Sequence, residues 1–318
     1  MIWHRSWIEM NSIRLNMNRA IITGATGAIG TALIKELVNR NIEVLVFTRK
    51  DSKRNNNILK NNLVKVKYCA LNEIKQTNND TGKDYDVFFH LAWAGASGEG
   101  RNDKELQEKN VEYTLDAVDC AKRFGCKKFI GIGSQAEYGR VNTTLNENTV
   151  TKPENEYGKA KLKAGILTKQ KALELGLSFN WIRVLSIYGP NDGDNTLISY
   201  AIRQFINNEE LNVTRCEQIW DYLYSEDAAK AIYLVSEKGK NGHTYVLGSG
   251  KKAFLYEYIE KIKDLSNSRS IINYGTVPYS KEQVMYLVAD ISKISYDTGW
   301  KPEIRFEIGI KKLLNIEN

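Results

Sequence analysis

The chain is poor in the residues that build metal sites and disulfide frameworks. Its 318 residues include four cysteines, three histidines and four prolines, and no two cysteines form a CxxC pair. Cysteines this sparse exclude a disulfide scaffold and argue against a zinc site, so we expect no bound metal. They are typical of a reduced protein, and we expect a cytoplasmic location.

Long apolar runs are also missing, since none approaches the roughly 18 residues of a membrane span. The first residues carry Arg5, Glu9 and Arg14 without a continuous apolar segment, so we interpret residues 1–18 as an N-terminal arm and not as a signal peptide. The basic excess, 45 Lys and Arg against 38 Asp and Glu, is scattered along the chain. It lacks the clusters of a nucleic-acid-binding protein and suits either an anionic substrate or a solvated surface. We expect neither a membrane nor a nucleic acid as partner.

Short apolar runs alternate with amphipathic segments in the first two thirds of the chain. The apolar runs predict strands at 20–23, 43–48, 64–69, 86–92, 127–134 and 179–189. Helices are predicted after the first strand, at about 104–124 and at about 157–175. This alternation predicts an α/β fold of the Rossmann type, with a doubly wound parallel sheet.

A glycine-rich turn, TGATGAIG, occupies residues 23–30 between the first strand and the first helix. Gly24 allows the tight turn, Gly27 lets the backbone approach a pyrophosphate, and Gly30 lets the helix pack against the strand. The free N–H groups of the helix N-terminus then bind the anion. The predicted cofactor contacts in this turn are Gly24, Thr26, Gly27, Ala28, Ile29 and Gly30.

The end of the second strand distinguishes between the two nicotinamide dinucleotides. An acidic residue at this point binds the ribose 2′-hydroxyl of NAD, but the chain has Thr48, Arg49 and Lys50. A guanidinium binds a 2′-phosphate through two parallel hydrogen bonds, so Arg49 favours NADP. Asp51 follows closely and leaves NAD open.

The rhythm of strands and helices changes after Pro190, which predicts a smaller C-terminal lobe. We predict a dinucleotide-binding domain of residues 19–187 and 222–248. The substrate-binding lobe then comprises residues 188–221 and 249–318.

Tyr157 and Lys161 are four residues apart at the start of the long predicted helix and therefore share one face of it. A phenol with a pKa near 10 is a poor proton donor at neutral pH. An ammonium about 4 Å away contributes on the order of 4 kcal/mol, or roughly three pKa units. The pair predicts an acid–base tyrosine whose pKa is lowered to near 7 by Lys161.

With these features in place, the chain resembles the extended short-chain dehydrogenase/reductases, in the branch of nucleotide-sugar epimerases and dehydratases. The resemblance covers about residues 19–305. Its landmarks, in order, are the glycine turn, His90-Leu91-Ala92, Asn110, Ser134, Tyr157, Lys161, Tyr188-Gly189-Pro190, Trp220-Asp221-Tyr222, Asp227, Asp290, Lys293, Gly299-Trp300 and Pro302.

The resemblance implies that the chain is an enzyme with Ser134, Tyr157 and Lys161 as its catalytic set. Ser134 would hydrogen-bond the reacting oxygen, Tyr157 would give or take its proton, and Lys161 would hold the nicotinamide ribose. Further implied cofactor contacts are Leu91, Ala92, Tyr157 and Lys161. The implied contacts to a nucleotide-sugar substrate are Trp93, Ser134, Gln135, Tyr157 and Trp220. The family also pairs the helices expected at 104–124 and 157–175 across a two-fold axis, which implies a homodimer.

The residues after Ser134 separate the reactions of this branch. Its 4,6-dehydratases place Asp-Glu there, whereas this chain has Gln135 and Ala136, which argues against a dehydratase. Glu137 is displaced by one residue, which turns its side chain to the other face of the strand end. Arg49 favours exchangeable NADPH, and the GSQAEYG string resembles reductases of nucleotide-linked 4-keto-6-deoxyhexoses. An NAD-dependent nucleotide-sugar 4-epimerase stays open, as does a non-catalytic NADP-binding redox sensor, although such sensors commonly lack the Tyr/Lys pair.

Overall fold

The computed structural model describes residues 16–316, so most of the predicted N-terminal arm lies outside the described residues. In chain order the strands are β1 (Arg19–Thr23), β2 (Glu43–Thr48), β3 (Val64–Tyr68), β4 (Val87–His90), β5 (Lys128–Ser134), β6 (Ser178–Val184), β7 (Ser186–Tyr188), β8 (Leu211–Val213), β9 (Ile219–Trp220), β10 (Tyr222–Tyr224), β11 (Thr244–Leu247), β12 (Ala253–Phe254), β13 (Ile272–Tyr274) and β14 (Tyr286–Leu287). The α-helices are α1 (Ala28–Asn39), α2 (Lys104–Arg123), α3 (Glu156–Glu174), α4 (Leu197–Asn207), α5 (Ser225–Lys238), α6 (Leu255–Leu265), α7 (Ser292–Thr298) and α8 (Phe306–Leu313). None of these helices is long and apolar enough to cross a membrane.

A seven-stranded sheet in the order β11-β6-β5-β4-β1-β2-β3 forms the centre of the molecule. All of its strand pairs are parallel. The chain builds outward from β1 to β3, returns to β4 beside β1, and then builds in the opposite direction. This order confirms the predicted doubly wound α/β fold. In such sheets ligands bind beyond the carboxyl ends of the strands, where the strand order reverses.

Both faces of the sheet are covered by apolar helix surfaces. Helices α1 and α5 pack together on one face, where Leu33 and Ile232 are completely buried. Helices α2 and α3 pack on the other, where Val118 and Ala164 are completely buried. Burying a side chain the size of leucine stabilises a fold by about 1.5–3 kcal/mol, so these two layers fix the sheet and the loops at its edge.

The predicted single strand over residues 179–189 is wrong, because the structure divides it. β6 ends at Val184, and β7 leaves the main sheet to pair in parallel with β10. The apolar side chains of this segment belong to two hydrophobic cores. Ile182 packs in the core of the main sheet, whereas Tyr188 packs with Phe205 and Ile310 in the core of the C-terminal part. A continuous apolar pattern does not show where one core gives way to another.

The chain returns to the main sheet after β10. α5 packs on α1, and β11 pairs with β6 at the edge of the sheet. The buried carboxylate of Asp221 connects the segment before β10 with the segments after β11, because it accepts hydrogen bonds from the backbone N–H groups of Ser249, Gly250 and Ala289 at 2.7–3.1 Å. The predicted domain boundaries stay a prediction.

Candidate active site

A cavity of about 590 Å³ lies at the carboxyl ends of β1 to β4, where the strand order reverses. Parallel strands place the loops that follow them along one edge, so these residues meet although they are distant in sequence. The predicted site residues that line the cavity are Gly24, Thr26, Arg49, Ala92 and Trp93.

The geometry of the glycine turn fits a pyrophosphate. Gly24 has a φ of +72°, and a Cβ there would lie 2.7 Å from the Ala92 nitrogen. A Cβ on Gly27 would meet no atom within 4 Å, so the space above it is free for a ligand. Gly27 is the N-cap of α1 and provides no side-chain cap, so the first N–H groups of the helix remain for an anion.

The other predicted contacts of this turn lie in or beside the helix end. Ala28, Ile29 and Gly30 form the first turn of α1. A Cβ on Gly30 would collide with the Gly24 carbonyl oxygen, so helix and turn are in direct contact. Leu91 follows β4 and donates its N–H to the Thr23 carbonyl at 3.3 Å.

Arg49 lies on the cavity wall directly after β2, with its side chain exposed. The loop that carries it is held in place, because Thr48 Oγ1 donates to Asn55 Oδ1 at 2.7 Å and Asn55 Nδ2 donates to the Arg49 carbonyl at 2.8 Å. An exposed guanidinium at this edge is positioned to bind a phosphate on the ribose. The sheet and the turn together therefore fit a dinucleotide.

Sequence patterns did not identify the residues that follow β3. The cavity is also lined by three residues that directly follow β3, namely Cys69, Ala70 and Leu71. Their position directly after the third parallel strand was the available signal, since every strand of such a sheet ends at the same edge. Within the described residues, no group of three or more His, Cys, Asp or Glu side chains could hold a metal ion.

Ser134 and Tyr157 lie side by side at the end of β5, close enough for Ser134 to lower the pKa of Tyr157. Ser134 is the last residue of that strand, and its Oγ accepts from the Ala136 N–H at 3.1 Å. Tyr157 lies in the first turn of α3, which begins after Asn155, whose side chain accepts from the Gly158 N–H at 2.8 Å. Both side chains are buried. The two residues of the predicted serine–tyrosine pair therefore lie together, and their joint contact with one substrate oxygen stays a prediction.

The expected effect of Lys161 on Tyr157 does not occur in this structure. The Lys161 Nζ donates to the Ile132 carbonyl at 2.7 Å and lies 5.9 Å from the centre of the Tyr157 ring. Burial raises the pKa of Tyr157 above its ordinary value, although the hydrogen bond from Ser134 lowers it. Burial also lowers the pKa of Lys161 to about 7. The prediction that Lys161 lowers the pKa of Tyr157 is wrong for this structure, because burial raises that pKa and the Lys161 ammonium is bonded to the Ile132 carbonyl instead.

The loop after β4 is held by two buried amide side chains of α2. Trp93 Nε1 donates to Gln107 Oε1 at 2.8 Å, and Gln107 Nε2 donates to the Gly100 carbonyl at 2.7 Å. Asn110 accepts from the Ala94 N–H and donates to the Ala94 carbonyl, each at 2.9 Å. The Trp93 ring lies 3.8 Å from the Lys161 ammonium. Hydrogen bonds to α2 therefore hold this loop in place as one wall of the site.

His90 is neutral and structural. Thr114 gives its hydroxyl proton to the Asn110 carbonyl, so it accepts from His90 Nε2, while Thr23 Oγ1 lies 3.0 Å from His90 Nδ1. Burial, together with the Lys161 charge, lowers the pKa of His90 to about 3. The imidazole orients Thr23, whose Oγ1 accepts from the Ala92 N–H at the cavity edge.

Gln135 lines a second, smaller cleft of about 200 Å³ beside Ser134 and Tyr157. Arg101, Ala136 and Asn155 also line it, and Glu282 approaches from the C-terminal lobe. This cleft lies between the two parts of the chain, where a substrate would contact both. Sequence patterns did not point to Arg101 or Glu282, because both lie on loops without a recognisable motif.

Three further polar or aromatic residues have structural partners. Trp220 lines neither the cavity nor the cleft; its Nε1 donates to Ser186 Oγ at 2.7 Å, and its ring packs in the C-terminal core. Glu137 points away from the cleft into the protein, as its displacement by one residue predicts. Tyr138 is buried and donates its hydroxyl to the Asn146 carbonyl at 2.8 Å.

Comparison with known proteins defines the class to which this fold and site belong. The model of the NAD dependent epimerase/dehydratase family matches residues 20–248. The chain therefore belongs to this family, the extended short-chain dehydrogenase/reductases that act on nucleotide sugars. This confirms the resemblance drawn from the sequence motifs and supports a nicotinamide dinucleotide as cofactor.

Individual relatives cover almost the whole chain at low identity. CDP-abequose synthase of Salmonella typhimurium (strain LT2) is 25% identical over 92% of this chain and 96% of its own length. The dTDP-4-dehydro-6-deoxyglucose reductase of Escherichia coli is 26% identical over 93% of this chain and 96% of its own. Among solved structures, UDP-N-acetylglucosamine 4-epimerase from Methanobrevibacter ruminantium M1 superposes with a TM-score of 0.83 at 23% identity, over 95% of this chain and 99% of that one. This last similarity is one of fold.

Proposed function

We propose that the protein is an NADP-dependent oxidoreductase that reduces the 4-keto group of a nucleotide-linked 6-deoxyhexose. The observation that carries this proposal is Ala136, which stands beside the Ser134 and Tyr157 pair where a dehydratase needs a carboxyl group. Alanine has no proton to exchange, so elimination of water has no acid or base at that position. The relatives named CDP-abequose synthase and dTDP-4-dehydro-6-deoxyglucose reductase support a reductase.

The chain's own residues would divide the work of reduction. When bound, the nicotinamide ring supplies a hydride to the carbonyl carbon. Tyr157 gives its phenol proton to the carbonyl oxygen as negative charge develops there. Ser134 donates a hydrogen bond to the same oxygen and orients it. Lys161 holds the nicotinamide ribose from the next turn of α3.

The proposed cofactor is NADP, because Arg49 stands at the cavity wall after β2 where an NAD enzyme has a carboxylate. The glycine turn and the N-terminus of α1 would bind the pyrophosphate. Ala70 and Leu71, which line the cavity after β3, would contact the adenine end of the cofactor.

An assay with purified protein distinguishes this function from two others. NADPH is mixed with a panel of 4-keto sugar nucleotides that differ in base and sugar, and its absorbance is followed. We expect consumption of one NADPH per ketone reduced, at a rate about 10²–10⁴-fold lower in the Tyr157→Phe variant. A parallel assay supplies NAD and 4-hydroxy sugar nucleotides, and interconversion of their 4-epimers there, without NADPH use in the first assay, would identify a 4-epimerase instead. Tight NADPH binding with neither reaction would identify a redox sensor.

We also propose that two chains form a homodimer through α2 and α3, as the family resemblance implies. These helices pack side by side on one face of the sheet. On α3, Ile166 is 60% exposed and Leu173 is 74% exposed, and their spacing of seven residues puts them on one face. A partner that covers both would remove apolar surface from water.

A further inference from the structure

The ring of Tyr157 is contacted by two side chains from the loop after β4. Trp93 meets it edge-on, with 6.1 Å between the ring centroids and 90° between the ring planes. The guanidinium carbon of Arg101 lies 4.4 Å from the centre of the Tyr157 ring. A cation within about 6 Å of an aromatic face is attracted to it. Arg101 is therefore in direct contact with the proposed proton donor.

The position of Arg101 is fixed by the loop around it. It lies in a 3-10 helix, Gly98–Asn102, and its Nη1 donates to the Ala96 carbonyl at 3.1 Å. The same helix is tied to α2, because Gln107 Nε2 donates to the Gly100 carbonyl at 2.7 Å. The guanidinium thus stays over the ring without depending on a ligand.

Three charged groups face Tyr157, each from a different element. Lys161 on α3 is 5.9 Å from the ring centre and points to the Ile132 carbonyl. Glu137, after β5, has its carboxylate paired with Arg183. Arg101, from the loop after β4, is the nearer of the two cations over the ring.

We propose that Arg101 is a positioning residue for Tyr157, which holds the phenol ring face-on and offsets the negative charge left on its oxygen when the proton departs. In that step the O–H bond of Tyr157 breaks, a new O–H bond forms on the substrate oxygen, and the electron pair stays on the phenolate. The inference rests on the proposed role of Tyr157 as proton donor. It assigns to Arg101 the charge compensation that sequence spacing assigns to Lys161.

The direction of the electrostatic effects agrees with this role. Burial raises the pKa of Tyr157, and the Glu137 charge adds to that rise. The hydrogen bond from Ser134 and the charge of Arg101 act in the opposite direction and lower the pKa. Removing Arg101 is therefore expected to make Tyr157 a weaker acid.

The test measures the ionisation of Tyr157 directly. 3,5-Difluorotyrosine is incorporated at position 157 alone, which gives a single ¹⁹F resonance and a phenol more acidic than tyrosine. Its midpoint pH is measured in the otherwise unchanged protein and in the Arg101→Gln, Arg101→Lys and Arg140→Gln variants. Arg140 is the matched control, since it lines the same cleft but its Nε is paired with Glu154 at 2.6 Å. Thermal unfolding of each variant confirms that it is folded.

We expect the midpoint to rise by about one pH unit in Arg101→Gln, to return most of the way in Arg101→Lys, and to stay unchanged in Arg140→Gln. An unchanged midpoint in Arg101→Gln, or an equal rise in Arg140→Gln, overturns the inference. The titration needs neither cofactor nor substrate. A shift in Arg101→Gln together with failure of the NADPH assay would therefore reject the proposed reaction and leave the role of Arg101 standing.

Discussion

The carboxylate of Glu137 and the guanidinium of Arg183 form an ion pair inside the protein, in which Arg183 Nε donates to Glu137 Oε2 at 2.6 Å. Glu137 Oε1 accepts from the Ser134 N–H and from Trp181 Nε1, both at 2.9 Å. The same carboxylate therefore holds the backbone of the residue whose hydroxyl contacts Tyr157. This pair is part of the support of the site and has no direct access to the cleft.

The first prediction is that Glu137→Ala destabilises the protein severely. It leaves the Arg183 charge buried without its partner, a change that typically costs about 3–5 kcal/mol. Urea unfolding measures the loss. The control is Glu154→Ala, which breaks the Arg140–Glu154 pair on the surface and should cost less than about 1 kcal/mol. Equal losses of unfolding free energy in the two variants would show that the buried pair does not contribute more to stability than the surface pair.

The second prediction concerns the choice of cofactor. Arg49→Asp should weaken NADPH binding by about ten-fold or more relative to NADH, because a charge-assisted hydrogen bond contributes roughly 1.5–3 kcal/mol. Isothermal titration with both dinucleotides gives the comparison. Lys60→Asp makes the same change of charge at an exposed position outside the cavity and should affect both cofactors little. A parallel loss of NADPH and NADH in Arg49→Asp would remove this residue from 2′-phosphate recognition.

The third prediction concerns proton transfer. Tyr157→Phe keeps the ring and removes the proton, so kcat should fall by about 10²–10⁴-fold while NADPH affinity persists. Ser134→Ala should lower kcat by about 10–10³-fold, because one hydrogen-bond donor to the developing charge is lost. Lys161→Met should harm both kcat and NADPH affinity, since the proposed ribose contact is lost as well. Tyr138→Phe is the control, because that hydroxyl bonds to the Asn146 carbonyl. A Tyr157→Phe enzyme that keeps more than about a tenth of its kcat would have another proton donor.

The fourth prediction concerns assembly. Ile166→Glu combined with Leu173→Glu puts two charges on the exposed apolar face of α3, so the proposed dimer should dissociate. Light scattering at micromolar concentration then reports a monomer for the variant and a dimer for the unchanged protein. Val150→Glu, at a residue that is 78% exposed and lies outside α3, should remain dimeric. A monomeric wild type would contradict the proposed assembly.

The fifth prediction concerns stability against pH. Lys128 is buried, its Nζ donates to the Val235 carbonyl at 2.9 Å near the end of α5, and burial lowers its pKa from 10.5 to about 8. Between pH 8 and 10.5 the unfolded chain keeps this proton and the folded one releases it, so rising pH favours the fold. The unfolding free energy of wild type minus that of Lys128→Met should therefore increase with pH in this window, by up to about 1.4 kcal/mol per pH unit. Urea unfolding at several pH values measures it, and a constant difference would show that Lys128 is not proton-linked.

Local patterns were sufficient to predict the α/β fold and the parallel sheet, whereas the roles of the site residues stay predictions. The glycine turn and the Tyr157/Lys161 spacing each fall within a few residues, and both follow from the geometry of one strand or one helix. The strand–helix alternation predicted the parallel sheet for a similar reason, because parallel strands need crossover connections. Periodicity could not predict the break after Val184, since the side chains on both sides of it are apolar.

Long-range contacts within the site could not be predicted in this way. The stacking of Arg101 on Tyr157 joins a loop to a helix that is distant in sequence, and the loop owes its shape to the amide of Gln107. The Lys161 side chain points toward the Ile132 carbonyl and the Trp93 ring. The four-residue spacing between Tyr157 and Lys161 does not predict either contact. Trp220 was predicted as a substrate contact from its place in a motif, whereas its indole bonds to Ser186. Burial and partner geometry, which decide these cases, appear only once the fold is known.

The pairing of β11 with β6 can form only late in the synthesis of the protein. A nascent chain that ends at Tyr188 already contains the glycine turn, Ser134 and Tyr157, yet β6 has no neighbour on its outer side. The strand that covers that side, and α5, which packs on α1, are translated only after the first segment of the C-terminal lobe. An uncovered strand edge is a site for pairing with other chains. A partly synthesised chain therefore has an unpaired strand edge at β6 until residue 247 has been added.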